Sequence, residues 1–372
     1  MTNTMGIILS ESNSQVYSLT ERRAISALPI AGRYRLIDFV LSNMVNSGIT
    51  NVGIVLKHKY SSLMDHLGSG REWNLSRKSG GLRVFPPYIR RGLPGVAEGN
   101  IDLLASTESF IRKSKQQYAL LSTGNAVFNI NFTDVMDFHT QNNAEITLVY
   151  YEHNQADNRI LSNRVLLEVS EDNLVTRIEM RPGRPKSNNV FMNLILLERD
   201  FLHYLIDEAV SVGEHDFIRD ILIKNLSNLK ICAYKFDGYI GCVDSVRSYF
   251  EISMDMLDAD IRNELFNPDR PIYTKIKDQV PTKYENNASV HNSLIADGCI
   301  IDGEVRNSIL FRGVNIGKGS KVFNSIVMQD AVIQANCELQ HCILDKEVVV
   351  RDAGRLIGES GHPMILGKGE IV

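Results

Sequence analysis

Short apolar runs alternate with amphipathic stretches from residue 1 to about residue 260. Gly6-Ile7-Ile8-Leu9, Val52-Gly53-Ile54-Val55-Leu56, Tyr118-Ala119-Leu120-Leu121 and Ile146-Thr147-Leu148-Val149-Tyr150 have the length and aliphatic content of buried strands. Between the first two, Leu36, Ile37, Val40, Leu41, Met44 and Val45 share one side of a helical pattern. That pattern stops at Ser47-Gly48, where glycine takes a left-handed cap without a Cβ penalty. Strand, helix, strand at this spacing predicts a parallel sheet joined by right-handed crossovers. Such an architecture suits nucleotides but fixes no chemistry.

The pattern changes at Phe266. Asn267-Pro268-Asp269-Arg270-Pro271 and Val280-Pro281 interrupt any regular element, which predicts a linker. Beyond it an internal repeat begins. Val290-His291-Asn292-Ser293-Leu294-Ile295 recurs as Val305-Arg306-Asn307-Ser308-Ile309-Leu310, then as Val322-Phe323-Asn324-Ser325-Ile326-Val327, and weakly as Leu339-Gln340-His341-Cys342-Ile343-Leu344. The copies start 15, 17 and 17 residues apart. A period near three hexapeptides, with an inward aliphatic residue per short strand, predicts a parallel β-helix whose coils must stack to bury that face. The expected domains are 1–262 and 288–372, with 263–287 as linker.

Composition narrows the function classes. The 372 residues are 44% hydrophobic and 23% charged, which is ordinary for a globular chain. Forty Lys plus Arg against 44 Asp plus Glu give −4, too little field of either sign for a dedicated nucleic-acid or membrane-surface binder. No apolar run reaches the roughly 18 residues of a membrane span, and Met1 to Ser10 lacks a charged leader. The expectation is a soluble cytoplasmic protein without nucleic-acid or membrane partners. Cys232, Cys242, Cys299, Cys337 and Cys342 are an odd number without a CxxC pair, which argues against a zinc site or a disulfide framework.

A parallel sheet followed by hexapeptide coils resembles the sugar-nucleotide pyrophosphorylases. Leu19 to Pro29, Gly32-Arg33-Tyr34-Arg35-Leu36-Ile37-Asp38-Phe39, Leu41-Ser42-Asn43-Met44-Val45-Asn46-Ser47-Gly48-Ile49, Trp73-Asn74-Leu75-Ser76-Arg77, Gly80-Gly81 with Pro86-Pro87-Tyr88, Asp137-Phe138-His139, Arg181-Pro182 and Phe236-Asp237-Gly238-Tyr239 resemble the ADP-glucose pyrophosphorylases (glucose-1-phosphate adenylyltransferases) in order along the whole chain. The resemblance implies an α/β fold: a Rossmann-like nucleotidyltransferase domain of GT-A type with a mixed, mostly parallel sheet, then a left-handed parallel β-helix. It also implies a reaction that joins ATP and glucose 1-phosphate to give ADP-glucose and pyrophosphate. That chemistry needs a glycine-rich phosphate loop, basic side chains and carboxylates that hold Mg²⁺.

Most of those parts are missing. Where the family has G-G-G-x-G-x-R-L, this chain has Leu9-Ser10-Glu11-Ser12-Asn13-Ser14-Gln15-Val16. Each lost glycine now carries a Cβ that obstructs close backbone approach to phosphate. Glu11 adds a negative charge, and a like pair at ~4 Å in an effective dielectric near 20 costs on the order of 4 kcal/mol. The family's Lys-Pro-Ala step falls on Ile25-Ser26-Ala27, and its Ser-Gly-Asp-His metal motif on Thr123-Gly124-Asn125-Ala126. Its second metal aspartate falls on Cys242, with Asp244 two residues on; a thiol is a poor ligand for a hard cation. At the sugar-phosphate end Glu-Lys-Pro becomes Met180-Arg181-Pro182, a Ser-Met-Gly step becomes Phe191-Met192-Asn193, and a helix glutamine becomes Ser106. No catalytic residue, metal ligand or cofactor is therefore expected, and Asn125, Arg181, Cys242 and Asp244 mark degenerate positions.

This pattern of loss resembles the GlgD-type, non-catalytic subunit of the bacterial family. The resemblance implies a regulatory role in glycogen synthesis, a heterotetramer with the catalytic paralogue or a homo-oligomer alone, and a phosphorylated effector bound near Arg33, Arg35, Lys57, His58 and Lys59. Arginine suits such an effector by pairing phosphate oxygens bidentately. Arg90-Arg91, by contrast, reads equally as plain surface, and His58, His66 and His139 read as structural. Two alternatives stay open: a weak adenylyltransferase with Asn125 and Asp244 around Mg²⁺, and a hexapeptide acyltransferase using His291 or His341.

Overall fold

The computed structural model describes residues 1–10, 16–57, 59–86, 99–153 and 161–372. The altered phosphate loop, Glu11 to Gln15, lies outside the described residues, as do His58, Pro87, Tyr88, Arg90 and Arg91. The first strands are β1 (Thr4–Ser10), β2 (Pro29–Ile30), β3 (Tyr34–Arg35), β4 (Asn51–Leu56), β5 (Gly81–Phe85) and β6 (Tyr118–Thr123). They are followed by β7 (Ala126–Phe128), β8 (Ile146–Glu152), β9 (Val165–Val169), β10 (Val175–Met180), β11 (Asn189–Glu198), β12 (Ile231–Lys235) and β13 (Ile240–Cys242).

The main sheet has the order β10-β9-β11-β6-β1-β4-β5, with β8 joining β11 to β12. Its β6-β1-β4-β5 half is parallel, as the strand–helix–strand spacing predicts, whereas β11 runs antiparallel to β6, β8 and β9. Every residue of β1 and β4 is buried, since helices cover both faces. Met5, Ile7 and Leu9 belong to one apolar cluster and Ile8 to the other, the period-two alternation of a strand.

The helix Leu36–Asn46 is buried from Leu36 to Met44. Ile37, Val40, Leu41 and Met44 face the sheet. Leu36 and Phe39 face the other way, into a cluster that includes Ile309, Phe311, Ile326, Met328 and Ile343 of the C-terminal coils. The helix is thus apolar on two sides because the second domain sits on it. Its end is the expected one: Gly48 has φ +82°, and the N–H of Ile49 reaches back to the carbonyl of Met44 at 2.9 Å.

The C-terminal strands form three parallel sheets of five short strands each. Val290, Val305, Val322, Leu339 and Leu356 are stacked in register, as are Ile295, Leu310, Val327, Leu344 and Leu366. The predicted repeat is therefore the coil of a parallel β-helix. Its Asn-Ser step has a physical reason. Asn292, Asn307, Asn324 and His341 all take left-handed φ, between 41° and 50°, which asparagine tolerates best after glycine. Each following residue then receives the hydroxyl of the coil before: the N–H groups of Ser308, Ser325 and Cys342 donate to Ser293, Ser308 and Ser325 Oγ, each at 3.1 Å.

Between the domains, helix Ala259–Leu265 crosses residue 262, and Lys283–Tyr284 already pairs with Ile300–Ile301 of the coils. The intervening 267–282 carry no helix or strand. Side chains of the first domain strap this segment down: Asn129 Nδ2 donates to the carbonyls of Leu265 and Arg270, Asn46 Nδ2 to that of Pro271, and Tyr273 N–H to Ser42 Oγ.

Candidate functional site

The degenerate nucleotidyl site is assembled at the carboxyl ends of β1 and β6. Ser10 ends β1, and its Oγ lies 2.7 Å from Ser26 Oγ. Ser26 sits on the buried turn Ile25–Ala27, and Ile25, at the family's lysine position, packs beside Val16 and Leu19. A Cβ on Gly124 would come within 2.9 Å of Ser26 Cβ and 3.2 Å of Ile37 Cδ1, so this glycine is required by close packing.

Past Gly124 the chain turns into β7, which pairs with β13 so that Ala126 faces Cys242. That pairing brings Asn125 to Cys242, as the resemblance implies. The amide nitrogen, however, is turned to the strand. Asn125 Nδ2 donates to Val243 O at 3.2 Å and approaches Cys242 Sγ at 3.7 Å. Asn125 Oδ1 is buried with no hydrogen-bond partner. Asp244 does join the cluster, but a residue that sequence reasoning missed holds it. Arg164 Nη2 lies 2.8 Å from Asp244 Oδ2 and 3.3 Å from Cys242 O. The side chains are 15% and 27% exposed, so the pair is mostly shielded. Burial works against the charge on Arg164, yet the facing Asp244 carboxylate helps to hold it above the ordinary arginine range. Burial pushes the Cys242 thiol up and the Tyr151 phenol up to about 12, so both are neutral near pH 7.

The remaining predicted positions lie elsewhere. Arg181 is exposed in a left-handed conformation (φ 47°), and its N–H donates to the Arg164 carbonyl. Phe191 is in the apolar core with Tyr150 and Leu148, on the face of β11 that also carries Ile195 and Leu197. Ser106 caps a helix by donating to Leu103 O. His66 binds Asp38 and His139 binds Thr147. His341 fills the left-handed corner of a coil, next to the Phe250 ring, and His291 bonds its own coil's Ser289. Neither makes an acyl-transfer centre.

The family's chemistry implies Mg²⁺. The side chains here do not fit it: an amide whose unpaired Oδ1 carries no charge, a neutral thiol, and one carboxylate already neutralised by a guanidinium. A divalent ion within ~4 Å of that guanidinium meets a repulsion of about 8 kcal/mol at an effective dielectric near 20. Among the described residues no cluster of three or more His, Cys, Asp and Glu is placed to hold a metal.

A second feature lies between the domains. A cleft is lined by Arg33, Arg35, Lys275, Lys277, Arg312 and Lys346, with Asp65 as the one carboxylate among its described lining residues. Arg35 begins the buried helix, and its Nη1 is fixed by Ser62 O at 2.6 Å. The charges crowd one another. Burial together with Arg23 pulls Arg35 down to about 10, against the opposing pull of Asp38. Burial, then Arg35, Arg23 and Lys277, pull Lys346 down to about 8. Of the cations read from sequence, Arg33 and Arg35 line this cleft, whereas Lys57 and Lys59 do not. Lys59 Nζ is engaged by Thr20 O at 2.8 Å. The other four come from the strapped segment and the coils, more than 200 residues away.

Residues 5–259 match the nucleotidyl transferase family model, and residues 278–362 the GlmU-like C-terminal hexapeptide model. The glycogen biosynthesis protein GlgD of Bacillus subtilis is 37% identical over 352 residues, covering 94% of this chain and 91% of its own. That of Geobacillus stearothermophilus is 39% identical over 307 residues, 82% and 78% of the two chains. The glucose-1-phosphate adenylyltransferase of Acetivibrio thermocellus is 32% identical over 358 residues, 95% and 83%. With both domain models matched in order, and similarity to adenylyltransferases and GlgD proteins along nearly its full length, the chain belongs to the glucose-1-phosphate adenylyltransferase family, on its GlgD-like side.

Proposed function

We propose that this chain serves glycogen synthesis as a regulatory, non-catalytic subunit, acting on a catalytic glucose-1-phosphate adenylyltransferase with which it assembles. The observation that carries this reading is the contrast between its two sites. At the metal positions stand Asn125 and Cys242, and the nearby Asp244 is held by Arg164. Between the domains, six cations and one carboxylate line the same cleft. The first arrangement supports no phosphoryl transfer; the second favours a phosphorylated metabolite, since Arg and Lys gain charge-assisted hydrogen bonds to phosphate oxygens.

A subunit without chemistry acts by biasing its partner through a differential free energy, typically ~1–3 kcal/mol. The cleft is placed for that. Arg35 starts the helix that underlies the main sheet, and Lys346 belongs to the coils, so a bound anion draws the two domains together. The test is co-expression with a catalytic adenylyltransferase of the family. The expected outcome is a mixed complex, seen by mass, whose ADP-glucose synthesis or sugar-phosphate response differs from the catalytic chain alone, while this chain alone forms essentially no ADP-glucose. Turnover by the isolated chain at a typical enzyme rate, or no association, defeats the reading.

A further inference from the structure

We propose that the guanidinium of Arg164 takes the place of a divalent ion in the degenerate site, joining the β13 exit to the start of β9 and closing the site to metal. One nitrogen of Arg164 bridges Asp244 Oδ2 and the Cys242 carbonyl, beside the second of the family's metal positions. The backbone of Arg164 is itself anchored: its N–H donates to Leu161 O, and its carbonyl accepts from Arg181 N–H. The charge count closes without any added ion. Asp244 is balanced by Arg164, and Asn125 is an amide. A neutral, partly desolvated cluster gains nothing from a dication and loses its existing ion pair if one enters. Deleting carboxylates alone would leave a pocket that two reversions reopen; an internal cation makes the loss self-sustaining.

The readout is metal affinity, not turnover, so this inference and the regulatory reading can fail separately. Mn²⁺ binding to the full chain is followed by electron paramagnetic resonance. The wild type is expected to show no saturable site up to millimolar Mn²⁺. N125D/C242D, which retains Arg164, is expected to bind at least tenfold more weakly than N125D/C242D/R164Q. Equal affinity in these two variants, or a wild-type site that Asp244→Asn removes, overturns the proposal. The wild type gives a second arm that does not depend on the triple variant folding. Its thermal midpoint, at matched ionic strength, is expected to be unmoved by millimolar Mg²⁺; a rise that Asp244→Asn abolishes overturns the proposal as well.

Discussion

Lys346 lies next to Asp345, and the cations Arg35, Arg23 and Lys277 face it while Asp345 alone opposes them. Burial and that crowding bring it to about 8, so near pH 7 it is charged and above pH 8 increasingly neutral. An anion in the cleft favours the charged form; above pH 8, binding must therefore take up a proton. Sulfate affinity is expected to fall between pH 7 and pH 9.5, with proton uptake visible by calorimetry in buffers of different ionisation enthalpy. Sulfate itself does not titrate in this range. Lys346→Met should weaken binding at pH 7 and remove most of the pH dependence; a flat profile in the wild type would show that Lys346 does not face the anion. At this scale the sequence was half legible. Arg33 and Arg35 sit together in the chain and could be read as a cationic pair, but the residues that complete the cleft are adjacent only in the fold. The Arg164–Asp244 pair was hidden for the same reason, its partners lying 80 residues apart.

The coils show why some elements are more legible than others. A stacked β-helix repeats one environment, so each coil imposes the same residue types at the same place: asparagine for left-handed φ, a small hydroxyl for the next coil's N–H, an aliphatic residue for the axis. Four copies of that step stood out. The fifth strand set, with Leu356 in register, did not, because no Asn-Ser step follows it and residues 358–363 separate it from Met364–Leu366. The hydroxyl ladder yields a measurable expectation. Ser325 Oγ accepts from the buried Cys342 N–H and donates to Phe323 O at 2.7 Å. Ser325→Ala orphans that N–H and should cost about 1–3 kcal/mol in urea unfolding, while Ser325→Thr, which keeps the hydroxyl, should recover part of it. A loss below measurement error would mean that the ladder follows from the turn and adds nothing to stability.

At the scale of the molecule, two domains that read as separate in sequence share one interior. Leu36, Phe39 and Tyr249 pack against Ile309, Phe311 and Met328, and inside this contact Arg23 Nη2 reaches Asp345 Oδ1 at 2.6 Å with both side chains 5% exposed. No periodicity reveals such a pair, since its partners are 322 residues apart and each alone looks like a surface charge. Its energetics are asymmetric. Asp345→Asn leaves a buried guanidinium uncompensated, which typically costs about 3–5 kcal/mol, whereas replacing both members by apolar residues of similar volume is often close to neutral. Urea unfolding should therefore rank R23M/D345L nearer to the wild type than D345N. The D345N transition should also broaden or split, since the pair is buried where the coils meet the helix at Leu36–Asn46. A D345N loss under about 1 kcal/mol would place this ion pair in effective contact with water and leave the apolar cluster alone to join the domains. In that case an anion in the cleft would act on a joint much looser than the one described, and the arginine at its wall, Arg35, would move without carrying the coils with it.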